Sequence, residues 1–301
     1  MNILVTGGSG FIGRNLVKLL KEEGNTVATL DIRDKNSVAD YHIISDVRNL
    51  HMVQNACKGM DYVFHLAAVT SPPEFENPLG EGYSVNVLGT YNVLASSATN
   101  GVKRVILASS SSVYGSISEP AKEDSPVNSF SNLYPLSKKI NEMTARFFLS
   151  HYLETISLRY FNTYGIGENS KGAYSSVIWK FIKSISEGKT PEIFGDGRQS
   201  RDFIYVRDVA RASWLALEKG KPGETYNIGT GITTDFNNIF STVKKATGFK
   251  GEARHVPNPL KSYQNFTQAD MSKTRRELGF SSEYDIERGV NEILKSLSEE
   301  N

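Results

Sequence analysis

Cysteine is almost absent from the sequence, positive and negative charges nearly cancel, and long apolar runs are missing. The single cysteine, Cys57, can form neither an internal disulfide nor a thiolate metal cluster, so we expect a reducing compartment and no metal site. The chain has 34 basic and 33 acidic residues. Because these charges nearly balance, no overall electrostatic field favours nucleic acid or an anionic membrane as a partner. No apolar run could cross a bilayer, and the chain start lacks a signal-peptide pattern. We therefore expect a cytoplasmic protein that binds anions only locally.

A glycine string lies between a short apolar run and a helical pattern at the start of the chain. The run at residues 3–5 is typical of a buried parallel strand, and residues 6–13 read TGGSGFIG. The glycines fit the dinucleotide fingerprint in two registers, namely Gly8, Gly10 and Gly13, or Gly7, Gly10 and Gly13. Side chains here would keep the backbone away from a pyrophosphate, whose charge the helix start stabilises. The pattern predicts a dinucleotide site.

An acidic residue follows the next predicted strand. This strand covers residues 26–30 and ends at Asp31, about where an acid binds the ribose hydroxyls of NAD. A carboxylate there would repel the extra phosphate of NADP, although Arg33 could offset that repulsion. The sequence favours NAD over NADP, and an ordinary pair of loop charges remains the alternative.

Predicted strands and helices alternate through the first half of the chain, which indicates a doubly wound parallel sheet. We expect an α/β fold with a Rossmann-like sheet and a smaller mixed α/β C-terminal substrate lobe. The composition changes after Asn162, where glycines and polar residues interrupt the alternation. We therefore predict an NAD-binding domain over residues 1–162, with a return to it around 201–230, and a substrate lobe mainly over 163–301.

Tyr134 and Lys138 stand four residues apart in a predicted helix, so both side chains would leave the same face. A neighbouring ammonium favours the phenolate form of a tyrosine and brings it within reach of base chemistry near neutral pH. The same spacing occurs on ordinary amphipathic helices, which is the alternative. Other residues must decide between the two.

Serines 109–112 follow a predicted buried strand, and ligands of open parallel sheets bind at this end of the strands. One of these hydroxyls could bond a substrate, or the run could be a polar loop. His65 lies inside another apolar strand, so we expect a core histidine and not a base. Arg198 and Arg201 are candidate anion ligands in the second half, where they could equally be surface charges.

Seven motifs follow one another along the chain: residues 6–13 (TGGSGFIG), 64–68 (FHLAA), 86–90 (NVLGT), 109–115 (SSSSVYG), Tyr134 with Lys138, 159–162 (RYFN) and 201–203 (RDF). In order and spacing they resemble the extended short-chain dehydrogenase/reductase family, specifically its nucleotide-sugar epimerases and dehydratases. The resemblance implies that Tyr134 is the catalytic base, that Lys138 holds the nicotinamide ribose and lowers the Tyr134 pKa, and that Ser110 bonds the reacting hydroxyl. It also implies a homodimer through helices that include the one bearing Tyr134.

The resemblance implies two sets of ligands along the chain. The implied cofactor site comprises Gly7, Gly10, Phe11, Ile12, Gly13, Asp31, Arg33, Asp46, Val47, Leu66, Ala67, Ala68, Asn86, Ser109, Tyr134, Lys138 and Tyr160. The implied substrate site comprises Ser110, Ser111, Tyr134, Asn162, Ser176, Val177, Arg201 and Lys261, with Asn162 and Arg201 on the diphosphate. The implied chemistry is oxidation of a sugar hydroxyl to a ketone, followed by return of the hydride to the other face.

At two places the sequence departs from patterns found within the family, and these differences narrow the expected reaction. The dehydratases carry Asp-Glu directly after the catalytic hydroxyl, and Ser111 and Ser112 stand at those positions, which argues against dehydration. UDP-glucose 4-epimerases usually carry a diphosphate-clamping arginine near the C-terminus, which is missing here or replaced by Lys261. We expect a UDP-hexose 4-epimerase, with a nucleotide-ketosugar reductase or a non-catalytic nucleotide sensor as alternatives.

Residues 171–177 and 263–270 also resemble the ADP-glycero-manno-heptose 6-epimerases. In those enzymes the lysine that matches Lys171 is a second acid/base opposite the tyrosine. Asp31 argues against the NADP that they are expected to use. Heptose 6-epimerisation is therefore a further alternative, and Lys171 is either an acid/base or a loop lysine that contacts phosphate or water.

Overall fold

A computed structural model describes residues 1–34, 38–70, 75, 80–127, 130, 132–151, 153–258 and 264–299. Among the predicted site residues, Lys261 lies outside these ranges. Within them, no helix is both long enough and apolar enough to cross a membrane. The cytoplasmic location stays a prediction.

The described ranges contain thirteen strands: β1 (Asn2–Thr6), β2 (Thr26–Asp31), β3 (Tyr41–Ile44), β4 (Tyr62–His65), β5 (Arg104–Ser110), β6 (Glu154–Tyr160), β7 (Asn162–Tyr164), β8 (Glu192–Phe194), β9 (Ser200–Arg201), β10 (Phe203–Tyr205), β11 (Thr225–Ile228), β12 (Thr234–Asp235) and β13 (Arg254–Val256). Seven of them form one sheet in the order β11-β6-β5-β4-β1-β2-β3. All neighbours in this sheet are parallel. The predicted Rossmann-like parallel sheet is confirmed.

Nine α-helices of four or more residues are described: α1 (Phe11–Glu22), α2 (Leu50–Cys57), α3 (Glu81–Thr99), α4 (Leu133–Leu149), α5 (Val177–Ser186), α6 (Val206–Lys219), α7 (Phe236–Thr247), α8 (Ser272–Leu278) and α9 (Ile286–Glu299). Two apolar clusters cover the sheet on its two faces. One contains Leu16 of α1 and Val209 of α6, and the other contains Val93 of α3 and Phe148 of α4. Helices on both faces explain why the strands read as continuous apolar runs.

The sheet order reverses beside β1, and this reversal positions the site. From β1 the chain moves outward through β2 and β3, whereas β4, β5 and β6 extend the sheet in the other direction. In open parallel sheets the crevice at such a reversal, at the carboxyl ends of the strands, is where ligands bind. Here the crevice lies beside Gly7 after β1 and Leu66 after β4.

A third apolar cluster forms the core of the second half, with Tyr164, Phe181, Phe240 and Val290 among its members. Helices α5, α7 and α9 surround it, beside the strand pairs β7–β10, β9–β12 and β8–β13. Strands β8 and β9 lie on either side of Gly197, but they do not pair with each other. Strand β8 pairs with β13 and strand β9 with β12, so each is held by a distant part of the chain.

Strand β11 brings the chain back to the central sheet, where it pairs with β6. The division into two domains stays a prediction.

Candidate active site

The glycine loop between β1 and α1 is packed too tightly for side chains. Gly7 has a φ of +72°, and an added Cβ would lie 2.6 Å from the Ala67 nitrogen. An added Cβ at Gly13 would lie 2.1 Å from the Gly7 carbonyl oxygen. Since real Cβ atoms do not approach backbone this closely, glycine is required at both positions. The main chain of the loop therefore packs directly against the residues that follow β4 and against the first turn of α1.

Asp31 holds the glycine loop from the end of β2. Its carboxylate accepts hydrogen bonds of 3.0 Å from the Ser9 and Arg33 main-chain nitrogens. The Ser9 hydroxyl is buried and has no hydrogen-bond partner in the structure. A cradle without side chains and a buried hydroxyl that lacks an acceptor both fit a bound dinucleotide diphosphate. The predicted cofactor residues Gly10, Phe11 and Ile12 lie at the same helix start.

Asp46 and Val47, two predicted cofactor ligands, lie in the segment between β3 and α2. Arg48 binds the Asp46 carboxylate, with 2.6 Å between the Arg48 Nη2 and Asp46 Oδ2 atoms. These hydrogen bonds hold the Asp46 pKa below its usual value. Val47 is buried against Gly89, where an added Cβ would lie 2.5 Å from the Val47 Cγ2 atom. Leu66, Ala67 and Ala68 follow β4 and are half-buried.

The Asn86 side chain forms hydrogen bonds with two segments of the site, the loop after β4 and helix α4. Its Nδ2 group donates to the Val69 carbonyl at 3.0 Å and to the Ser137 hydroxyl at 3.0 Å, and its Oδ1 atom accepts from the Val69 nitrogen at 2.9 Å. Ser137 in turn donates to the carbonyl of Tyr134. Both amide hydrogens are thus used within the protein. A direct cofactor contact of Asn86 stays a prediction, and its visible role is to join the loop after β4 to α4.

His65 is a buried, fully hydrogen-bonded histidine, as its place in an apolar strand suggests. Thr90 donates its hydroxyl hydrogen to the Asn86 carbonyl, so it accepts from the His65 Nε2–H group at 3.0 Å. The Thr6 hydroxyl then donates to the His65 Nδ1 atom at 2.7 Å. Burial, with a smaller effect of Lys138, lowers the His65 pKa to about 3. His65 is therefore neutral at any working pH.

Tyr134 and Lys138 both lie on α4, whose first turn is capped by the Asn132 side chain. The Lys138 ammonium lies 6.0 Å from the centre of the Tyr134 ring. It donates a 2.8 Å hydrogen bond to the carbonyl of Ala108 in β5. Burial lowers the Lys138 pKa to about 8, against the opposing charge of Glu142. The predicted pair is thus assembled at the end of β5.

The Tyr134 pKa is raised, which corrects one expectation from the sequence. Burial is the larger cause, and a hydrogen bond with the Ser110 side chain lowers the pKa only in part. Phe75 contributes to this burial, since its ring meets the Tyr134 ring edge-on at 5.8 Å. We expected Lys138 to lower the Tyr134 pKa, but the net direction is the opposite. Desolvation of the buried phenol disfavours the phenolate, and this effect outweighs the hydrogen bond that lowers the pKa.

The serine run is the end of a strand followed by a turn, and not a polar loop. Strand β5 continues through Ser110, and residues Ser111–Tyr114 form a 3-10 turn. Side chains alternate along a strand, so neighbouring serines face opposite ways. Ser110 faces Tyr134, whereas Ser109 donates to the buried carboxylate of Glu142 at 2.6 Å. Ser109 is thus bound within the protein, and its contact with a cofactor stays a prediction.

A buried ion pair that the sequence did not suggest lies behind Lys138. The Arg159 guanidinium donates two hydrogen bonds of 2.8 Å to the Glu142 carboxylate. Burial would raise the Glu142 pKa, but Arg159 outweighs burial and holds it below its usual value. Glu142 lies four residues after Lys138, so it continues the same face of α4. The spacing from Lys138 could have indicated that Glu142 lies near the site. It could not have indicated that Arg159 on β6 is its partner.

Tyr160 has a different environment from the one expected. Its hydroxyl is 2.8 Å from the Ser213 hydroxyl on α6, and its ring belongs to the apolar cluster on that side of the sheet. A cofactor contact of Tyr160 would therefore have to come from its main chain. The physical reason is strand alternation, which directs this side chain into the core.

The predicted diphosphate ligands lie together at the short strands of the second half. The Arg201 guanidinium donates to the Ser200 carbonyl at 2.9 Å and to the Gln264 carbonyl, and it lies 5.8 Å from the Phe236 ring centre. The Asn162 amide donates to the Asp202 carbonyl at 3.1 Å and to the Thr267 hydroxyl at 2.9 Å. Protein acceptors hold both side chains in place. Their binding to substrate stays a prediction.

Lys171 contacts Glu168 and the start of α1. Its ammonium is 3.1 Å from the Glu168 carboxylate and 5.2 Å from the centre of the Phe11 ring. Ser176 caps α5 by accepting from the Trp179 nitrogen, and its hydroxyl donates to Glu168 at 2.8 Å. Val177, the first residue of α5, is half-buried. Thus two predicted site residues, Lys171 and Ser176, are linked through the Glu168 carboxylate.

Comparison with known proteins agrees with this arrangement. The model of the NAD-dependent epimerase/dehydratase family matches residues 3–229, and the chain belongs to that family. The chain is 35% identical over 311 residues to a "Putative UDP-glucose 4-epimerase" of Methanocaldococcus jannaschii, with 99% of each sequence covered. It is 32% identical over 323 residues to the ADP-L-glycero-D-manno-heptose-6-epimerase of Alkalilimnicola ehrlichii, covering 99% of this chain and 98% of that protein.

The crystal structure of a UDP-glucose 4-epimerase from Thermotoga maritima with UDP-glucose superposes with a TM-score of 0.92. It is 31% identical to this chain and covers 100% of it, and 99% of that chain is matched. The predicted family and the predicted enzyme class, NAD-dependent nucleotide-sugar epimerases, are confirmed.

Proposed function

We propose that the chain inverts C4 of a UDP-hexose through a transient 4-keto sugar, with NAD as the cofactor. One observation carries the proposal: the Lys138 ammonium lies 6.0 Å from the centre of the Tyr134 ring, and a 2.8 Å hydrogen bond to the Ala108 carbonyl, two residues before Ser110, fixes it there. This is an arrangement for moving one proton at a sugar hydroxyl. The similarity to proteins named as UDP-glucose 4-epimerases supports the choice of substrate.

Each side chain has a distinct part in the proposed reaction. The chemistry that bound NAD supplies is reversible hydride transfer. Ser110 orients the sugar hydroxyl, and Tyr134 as phenolate removes its proton. Protonated Lys138 stabilises the phenolate by its charge. The keto sugar then rotates in the site so that its other face receives the hydride, and Tyr134 returns the proton to the oxygen at the inverted carbon.

The proposed substrate diphosphate binds at β7 and β9, where Asn162 and Arg201 lie. A guanidinium held by two carbonyls and an aromatic ring is already oriented, so binding an anion costs little side-chain entropy. Anchoring the nucleotide there leaves the sugar free to rotate, which epimerisation requires. Ser176 and Val177 are further proposed contacts, together with Ser111.

Epimerisation is favoured over dehydration by the residues after Ser110. Ser111 and Ser112 stand where a dehydratase of this family carries its acid and base. The Ser112 hydroxyl is buried without a partner, and Ser111 is half-buried at the start of the turn. Neither serine has a carboxyl group that could act as the acid or the base in the loss of water.

NAD is proposed over NADP because of Asp31. Its carboxylate ends β2 and is anchored by the Ser9 and Arg33 nitrogens, so it cannot turn away from a ribose phosphate. A negative charge held there repels a 2′-phosphate. Dissociation constants for the two cofactors test this, since NADP should bind more weakly, and equal binding would contradict it.

Heptose 6-epimerisation is the second candidate, supported by the similarity to the ADP-heptose enzyme and by Lys171. Proton NMR of the purified enzyme with UDP-glucose, UDP-galactose, their N-acetyl and uronate relatives, and an ADP-heptose decides between the two. We expect interconversion of a UDP-hexose pair without net consumption of cofactor. Turnover of the ADP-heptose alone would favour the second candidate, and stoichiometric consumption of NAD(P)H would indicate a ketosugar reductase.

A homodimer through α3 and α4 is also proposed. Leu88 and Tyr91 on α3, and Met143 and Phe147 on α4, are large apolar side chains that are exposed. They form one patch, because the Tyr91 and Phe147 rings both meet the ring of Phe148, at 6.1 and 5.8 Å. Apolar patches on neighbouring helices mark association surfaces, and a second copy of α3 and α4 offers a matching face.

A further inference from the structure

A segment of the second half rests on the first turn of α1. The Asn15 side chain on α1 donates to the Ile166 carbonyl at 3.3 Å. An added Cβ at Gly167 would lie 4.0 Å from the Phe11 ring, and the Lys171 ammonium lies 5.2 Å from the centre of that ring. Phe11 directly follows Gly10 and opens the helix. Residues 166–171 therefore lie beside the end of α1 at which the glycine loop would receive a diphosphate.

Lys171 is held in this place by a carboxylate that is fully buried. Glu168 accepts from the Ser176 hydroxyl at 2.8 Å and from the Ser176 nitrogen, and it lies 3.1 Å from the Lys171 ammonium. The Lys171 side chain is 30% exposed, so it is only partly covered by the protein. Lys180 interacts electrostatically with both Glu168 and Lys171. Two ammonium groups around one carboxylate leave this corner with net positive charge.

This environment suits an anion ligand. The Lys171 ammonium is paired with the Glu168 carboxylate at 3.1 Å and lies 5.2 Å from the centre of the Phe11 ring at the start of α1. The main-chain N–H groups of the first helical turn have no acceptors within the helix, so they and the ammonium can converge on one anion.

We propose that Lys171 binds the diphosphate of the dinucleotide cofactor, and that it is not a second catalytic acid/base. The proposal rests on the proposed use of NAD. Through Glu168 and Ser176, the same lysine is joined to the first turn of α5, which is proposed to contact the substrate. Cofactor retention is thereby coupled to the position of α5.

Three variants test this proposal: Lys171→Met, Lys171→Arg and, as a control, Lys183→Met on the exposed side of α5. Binding of NAD and of ADP-ribose, which keeps both phosphates, is measured by calorimetry after circular dichroism has verified folding. We expect Lys171→Met to weaken both ligands about tenfold or more, which is about 1.4 kcal/mol. Lys171→Arg keeps the positive charge and should bind within a few-fold of the unmodified chain, as should Lys183→Met.

The outcomes separate this proposal from the proposed reaction. If Lys171→Met binds NAD and ADP-ribose as tightly as the unmodified chain, the diphosphate contact is wrong. If both Lys171 variants bind normally but lose turnover, Lys171 is an acid/base, because arginine cannot exchange a proton at these pH values. Neither binding result depends on which sugar is the substrate, so failure of the UDP-hexose assignment would not imitate failure here.

Discussion

The Lys138 ammonium lies 6.0 Å from the centre of the Tyr134 ring, one turn further along α4. It is fixed there by a 2.8 Å hydrogen bond to the Ala108 carbonyl. Burial raises the Tyr134 pKa and lowers the Lys138 pKa to about 8. The two groups are therefore pushed towards their neutral forms, and a charged Lys138 is what would stabilise the phenolate.

Lys138→Met should change how the stability of the protein depends on pH. The Lys138 pKa is about 8 in the folded chain and 10.5 for a free lysine, so the unfolded chain binds more protons between these values. The free energy of unfolding should therefore rise with pH in this window in the unmodified protein, by about 1 kcal/mol per pH unit relative to Lys138→Met. Urea unfolding at pH 8 and pH 9.5, without added nucleotide, measures the difference. Identical pH dependence in the two proteins would contradict the lowered pKa.

Glu142→Gln should destabilise the protein by removing the charge that compensates Arg159. The guanidinium is 2% exposed and would stay buried with its charge unpaired, which costs about 3 kcal/mol or more. Lys139→Met is the matched control, because Lys139 lies 3.3 Å from the same carboxylate but is partly exposed. The control should change the free energy of unfolding by less than about 1 kcal/mol. Denaturant unfolding of both variants provides the comparison, and equal effects would refute the special role of Arg159.

Phe147→Asp should dissociate the proposed dimer. A carboxylate in the centre of the patch would lose its hydration on association, and two copies would face each other across a symmetric interface. Phe147 is 61% exposed, so the folded chain should tolerate the change. Light scattering after size-exclusion chromatography should give twice the chain mass for the unmodified protein and the single chain mass for the variant. Tyr41→Asp, an exposed aromatic on the edge strand β3, is the control that should remain dimeric. A monomeric unmodified protein would rule out this interface.

The sequence predicted the framework of the site because local patterns determine it. The glycine loop needs no distant partner to be recognised, and the packing of Gly7 and Gly13 shows why other residues would not fit. The spacing of Tyr134 and Lys138 placed both on one helix face, which the structure confirms. The first strand of the parallel sheet was recognisable from the short apolar run at residues 3–5, and it spans Asn2–Thr6 in the structure.

What the sequence could not provide depends on contacts between distant segments. The Glu142–Arg159 pair joins α4 to β6, and neither residue type at its position implies the other. The partners of Asn86 and the orientation of Tyr160 follow from packing against α4 and α6. The raised Tyr134 pKa required knowledge of burial, which spacing on a helix does not contain.

Tyr134 is proposed to move the proton at the inverted sugar carbon. Tyr134→Phe removes only the hydroxyl, so the Lys138 contact with Ala108 and the glycine loop should be unaffected, and NAD should bind as before. Proton NMR of a mixture of UDP-glucose or a related UDP-hexose with enzyme and NAD measures the interconversion directly. We predict a rate lower by a factor of about 10² to 10⁴ in the variant, with unchanged NAD binding. Undiminished epimerisation by Tyr134→Phe would show that another group moves this proton.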